Sequence, residues 1–131
     1  MKPLSGIVTP MVTPFDKHGK VDFGALNDLV DFLAQSGLHG LYPLGTSGEC
    51  LFMTLEERKQ VAEAVVQRAA GRVLVFVHVG SVSMTEARTL AQHAARIGAD
   101  GVAAVTPYYY GYTSRELAAY YQAILEAIPD D

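Results

Sequence analysis

Three hydroxyl–carboxylate pairs set the frame for this chain. Thr54 with Glu57, Ser83 with Glu86 and Thr113 with Glu116 each fit the box in which an N-cap hydroxyl and a later carboxylate satisfy the free amides of a helix start. Their hydroxyls stand 29 and then 30 residues apart. A repeat of about 30 residues is the size of one strand–helix unit with its turns. Apolar runs fill the gaps: "GIVTPMVTPF" (Gly6 to Phe15), "HGLYPLG" (His39 to Gly45), "VLVFVHVG" (Val73 to Gly80) and "GVAAVTP" (Gly101 to Pro107). They are short, β-branched and bounded by Gly or Pro, which predicts strands buried on both faces.

Helical stripes alternate with these runs. Leu26, Leu29, Val30 and Leu33 form one, and Val61, Ala62, Val65, Val66 and Ala69 the next. Leu90, Ala91, Ala94 and Ile97 repeat the pattern, and Leu117, Tyr121, Ile124, Leu125 and Ile128 end it. Four strand–helix units imply a parallel sheet with crossover helices. The period leaves open whether that sheet is doubly wound or part of a closed barrel.

Function in either architecture collects at the carboxyl ends of the strands. There the sequence carries Thr13 and Pro14, then Gly45 to Glu49, then His78 to Ser81, then Thr106 to Tyr110. In "GTSGE" two glycines bracket two hydroxyls. Glycines let the backbone approach a ligand and hydroxyls add donors without bulk, so the loop suits a small anion. A nucleotide site is disfavoured, because no Lys follows the second glycine and no G-x-G-x-x-G occurs. The four histidines share no ligand spacing and no acid cluster accompanies them, so no metal or other cofactor is expected.

The 131 residues are half hydrophobic, carry a formal net charge of −4 and contain no block of like charges. One soluble globular unit results, and nucleic acid is an unfavoured partner. A single cysteine excludes an internal disulfide and fits a reducing compartment. No apolar run approaches the roughly 18 residues of a membrane span, so no membrane partner and a cytoplasmic location are expected.

"GTSGE" after the second strand, "LEER" at Leu55 to Arg58, "HVGSVS" after the third strand and "VTPYYY" after the fourth together resemble the dihydrodipicolinate synthase and N-acetylneuraminate lyase family. The resemblance runs from "GIVTPMVTPF" to the fourth helix. It implies a (β/α)8 TIM barrel, of which residues 1–131 are the first four βα units, the N-terminal half of the domain. It also implies Schiff-base chemistry on pyruvate or a related 2-keto acid.

By the same resemblance, Thr46 and Ser47 bind the keto acid carboxylate. Thr46 and Tyr109 match members of a catalytic proton relay, and Tyr109 matches a tyrosine that reaches into a neighbouring subunit's site. A homo-oligomer, dimer or tetramer, is implied for the full-length protein. The Schiff-base lysine of the family lies on the sixth strand and a second relay tyrosine on the fifth. Here the lysines are Lys2, Lys17, Lys20 and Lys59, and none falls at a strand end. A barrel takes about 250 residues, so the chain is expected to be a truncated or cleaved fragment, or the product of an interrupted gene, inactive by itself.

Other residues carry plainer readings. Glu49 is expected to hold loop amides, Tyr108 and Tyr110 to pack, Cys50 to act as a small apolar side chain, and His78 to be a hydrogen-bonded core histidine. "HVGSVS" is closer to the sialic acid lyases than to the lysine-pathway synthases, whereas the order Thr46–Ser47 reverses the usual lyase pair. A lyase-like or general 2-keto acid aldolase is therefore preferred to a dihydrodipicolinate synthase. A half-barrel acting only by assembly or binding is the alternative from another class.

Overall fold

Three of the four helices begin where the sequence places their caps, and the first begins on Asp22. The computed structural model describes residues 5–129. Helix α1 (Phe23–Gln35) starts on Asp22, whose carboxylate accepts from the Ala25 amide at 3.0 Å. Helix α2 (Leu55–Ala69) starts on Thr54 and α4 (Ser114–Leu125) on Thr113, both with complete reciprocal capping boxes. At α3 (Met84–Arg96) only half the box forms: Ser83 accepts from the Glu86 amide, while the Glu86 carboxylate accepts from Ser81 Oγ at 2.8 Å. The third box is thus spent on tying the β3–α3 loop to its helix.

Between the helices lie β1 (Val8–Pro10), β2 (Gly40–Tyr42), β3 (Leu74–His78) and β4 (Gly101–Ala103), all parallel and in the order β1-β2-β3-β4. The sheet and its helices form a half barrel. The strands are shorter than the apolar runs that predict them. Pro43 has no N–H to continue the ladder, and Leu44 turns into the left-handed region with φ 65°.

Burial on both faces holds only partly. Val75, Val77 and His78 of β3 are buried, whereas every residue of β4 is half-buried and β1 ends exposed at Pro10. Among the described residues the outer strands have one neighbour each and no elements cover the side away from the helices.

The core lies between sheet and helices. Leu26 and Val30 of α1, Val61, Ala62, Val65 and Ala69 of α2, and Leu90, Ala91 and Ala94 of α3 pack with Leu41, Val75 and Val77 of the sheet. These follow the expected stripes. In α4 the stripe is displaced: Tyr120 and Ile124 are buried, and Tyr121 and Leu125 are exposed. Tyr120 turns inward because its hydroxyl donates to Ser81 O at 3.0 Å and accepts from Ser81 N at 3.1 Å. Among the described residues no helix is long and apolar enough to cross a membrane.

Candidate functional site

The glycine loop follows β2 and turns back sharply. Gly48 N donates to Gly45 O and Glu49 N to Thr46 O, each at 3.0 Å. Those two bonds use the later amides of the loop. Thr46 and Ser47 are exposed, and neither their amides nor their hydroxyls have a hydrogen-bond partner among the described residues. Four adjacent donors therefore stand unpaired in an exposed loop at a strand's carboxyl end.

The path of the loop is fixed from beneath. The Thr13 hydroxyl, from the stretch after β1, donates to Gly48 O at 2.8 Å in a buried bond. A Cβ at Gly48 would stand 2.9 Å from Leu44 N and 3.1 Å from Met11 O, closer than side chains tolerate, so the backbone crosses where only glycine fits. A 3₁₀ turn, Cys50–Phe52, separates the loop from α2. The loop thus does not lead directly into a helix, and the donors it offers are its own N–H and O–H groups rather than the end of a helix dipole. Glu49 has φ 56° and donates its backbone amide, but its carboxylate does not hold the loop amides as expected.

Tyr109 lies beyond β4 at the same edge of the sheet. It is 89% exposed, with φ 79°, and its ring meets Tyr110 edge-on at 5.0 Å between centroids. A bulky residue in the left-handed region carries a backbone cost, and such residues cluster at functional sites. Thr46 and Ser47 are brought together by the loop. Tyr109 shares their edge and presents its ring to solvent.

Between these loops, the end of β3 is closed by polar groups. His78 is 2% exposed. Its Nε2 accepts from Val105 N at 3.2 Å and its Nδ1 lies 3.9 Å from Cys50 Sγ. Burial, with the Arg58 charge second, lowers its pKa to about 4, so the ring is neutral at pH 7. The expected core histidine is what the fold contains. Cys50 is buried as expected, and burial raises its thiol pKa.

Arg58 closes the motif "LEER" and is buried under the end of β3. Only 5% exposed, it donates from Nη2 to His78 O and Gly80 O, both at 3.1 Å, and its Nε has no partner. Its position was legible: Arg58 precedes Val61, Ala62 and Val65 by three, four and seven residues, on the stripe that faces the sheet. It borders a cleft of about 190 Å³ with Cys50, Ser81, Glu86 and Tyr108. Tyr108 is a partly exposed wall of that cleft and Tyr110 is exposed.

The lysines are placed elsewhere. Lys17 and Lys20 are exposed on the turn before α1, Lys59 pairs with Glu56 at 2.6 Å on α2, and Lys2 lies outside the described residues.

Comparison with known proteins places this geometry. Residues 3–130 match the family model described as "Dihydrodipicolinate synthetase family". An N-acetylneuraminate lyase from Escherichia fergusonii is 41% identical over 124 residues, covering 95% of this chain and 42% of that protein. The crystal structure of dihydrodipicolinate synthase from Aquifex aeolicus superposes with a TM-score of 0.92 at 36% identity, over 95% of this chain and 42% of that one. A prophage protein of the dihydrodipicolinic acid synthase family from Escherichia coli K12, solved in complex with pyruvate, gives 0.91 at 32% identity, over 94% and 41%. The chain therefore spans under half the length of these relatives. With four parallel βα units in order and the family's match running through nearly all of its residues, the chain belongs to the dihydrodipicolinate synthetase family.

Proposed function

We propose that this chain forms the N-terminal half of a cytoplasmic, pyruvate-dependent lyase domain and contributes its carboxylate-binding loop. The observation that carries this reading is the pair of exposed residues Thr46 and Ser47, whose amides and hydroxyls have no internal partner at the carboxyl end of β2. A 2-keto acid carboxylate is a small planar anion that four such donors can hold.

The chemistry then divides between segments. A lysine amine outside this chain attacks the keto carbon and water leaves, giving a Schiff base. Cleavage or formation of the neighbouring carbon–carbon bond needs a proton moved to or from the second product. Thr46 and Tyr109 serve that relay, with Tyr109 acting across an interface between subunits of a homo-oligomer. Its 89% exposure leaves the phenol free to do so. A sialic acid or similar sugar acid is the preferred substrate, supported by the 41% identity to an N-acetylneuraminate lyase. Condensation of pyruvate with aspartate semialdehyde is the alternative within the family.

One observation favours a second reading, a half-barrel that acts by assembly alone: Ile7, Val12 and Val105 beside the two outer strands are 61%, 55% and 43% exposed. One experiment separates the two. The chain is mixed with the remaining C-terminal portion of the E. fergusonii lyase, and pyruvate trapping by borohydride and N-acetylneuraminate cleavage are measured. The lyase reading expects trapping and turnover in the mixture, neither with the chain alone, and loss of turnover in Thr46→Val. A complex that forms without trapping pyruvate supports assembly only. A borohydride-stable adduct on this chain alone overturns the assignment of the lysine to another segment.

A further inference from the structure

His78 joins the two loops that the proposed site needs, although it lies on neither. Val105 N–H heads the segment that leads to Tyr109. A backbone amide can only donate, so Nε2, which receives it at 3.2 Å, carries no proton. In the neutral ring the proton then sits on Nδ1, the side turned towards Cys50 Sγ at 3.9 Å. Cys50, whose Sγ faces that proton, directly follows the glycine loop, so the ring touches the ends of both loops.

The surroundings are cut to this ring. A Cβ at Gly80 would lie 2.9 Å from His78 Nε2 and 3.2 Å from Val105 N, so a side chain there would break into the bond. Arg58 holds the carbonyls of both His78 and Gly80. Tyr42 meets the ring edge-on at 6.0 Å between centroids. The groups around His78 thus fix its ring from β2, β3, α2 and the β4 loop together.

We infer that His78 is a positioning residue, locked as the Nδ1–H tautomer, that sets the glycine loop bearing Thr46 and Ser47 and the loop bearing Tyr109 at a fixed separation. The inference rests on the keto acid reading for its purpose, but its geometry can be tested without turnover.

The test is nuclear magnetic resonance on the chain as it stands. Long-range proton–nitrogen spectra of the wild type should show one tautomer for His78 at pH 7, with Nε2 unprotonated. An Nε2–H ring, or a mixture of the two forms, overturns the inference. His78→Phe keeps a ring but removes both bonds, and should speed exchange of the Val105 amide by about tenfold or more while shifting the resonances of Gly45 and Tyr109. His78→Gln places an acceptor oxygen where Nε2 stood and should return Val105 most of the way to wild-type exchange. A uniform change over all amides, or no change at Val105, would mean that the histidine only fills space. If His78→Phe does not fold, the wild-type tautomer and the glutamine variant decide the matter. Pyruvate added to the wild type reports separately: silence at the Thr46 and Ser47 amides counts against the keto acid reading and leaves the positioning role standing.

Discussion

The two ends of the candidate site differ in how their polar groups are used. At the end of β3, Arg58, His78, Ser81 and Tyr120 are buried and bonded to backbone or to one another. At the end of β2, Thr46 and Ser47 are exposed with donors unspent. A buried polar group must be satisfied by the protein or it costs free energy, so the β3 cluster contributes rigidity. An exposed donor costs nothing while water serves it, so the β2 loop contributes capacity to bind. Substitutions in the first region should therefore act on stability, and those in the second on ligand.

The largest effect should come from Arg58→Met, which leaves the carbonyls of His78 and Gly80 without their charged donor. Urea unfolding should show a loss of about 3 kcal/mol. A loss below about 1 kcal/mol would erase the distinction between the two regions.

Acid should act through the same cluster. The folded pKa of His78, about 4, lies below its ordinary value of 6.5, so the unfolded chain binds the proton first. This contribution to stability is complete above pH 6.5 and falls as the pH drops from there to about 4, by up to about 3 kcal/mol. Comparison of wild type with His78→Gln between those pH values isolates it, and equal slopes would contradict the neutral buried ring.

Gly48→Ala stands between the regions. Its Cβ would press on Leu44 N at 2.9 Å, so a loss of about 2 kcal/mol in thermal unfolding is expected, together with a displaced loop. The smallest change in stability should come from Ser47→Ala, within about 0.5 kcal/mol of wild type. That variant should nevertheless weaken pyruvate binding when the amide resonances of Thr46 are titrated. A marked loss of stability would show that Ser47 belongs to the framework.

Much of this architecture was legible in the sequence because helix caps and apolar stripes are local. Thr54 with Glu57 and Thr113 with Glu116 formed as the spacing predicts. What was not legible depended on partners distant in the chain. Tyr120 and Tyr121 are adjacent aromatics near one stripe, and only Ser81, 39 residues away, decides that Tyr120 turns inward. Ser83 and Glu86 make a correct box on paper, but Ser81 competes for the carboxylate. Strand lengths exceed those of the fold because an apolar run does not reveal where the backbone turns left-handed, as it does at Leu44.

The site divides in the same way. Thr46, Ser47 and Tyr109 are singled out by the family's motifs, and each follows the carboxyl end of its strand. Arg58 and His78, which hold those strand ends together, gave weaker signals because a buried arginine on an apolar stripe looks like a surface charge until its carbonyl partners are known.

The crossing at Gly48 has a consequence for how such a site can change. Since the course of the loop is set by Thr13, Met11 and Leu44 beneath it, the two residues at its tip do not carry it. Serine, threonine or another small side chain can be exchanged there one position at a time without refolding the strand end. Under the keto acid reading, ligand preference could then change on a scaffold that stays in place.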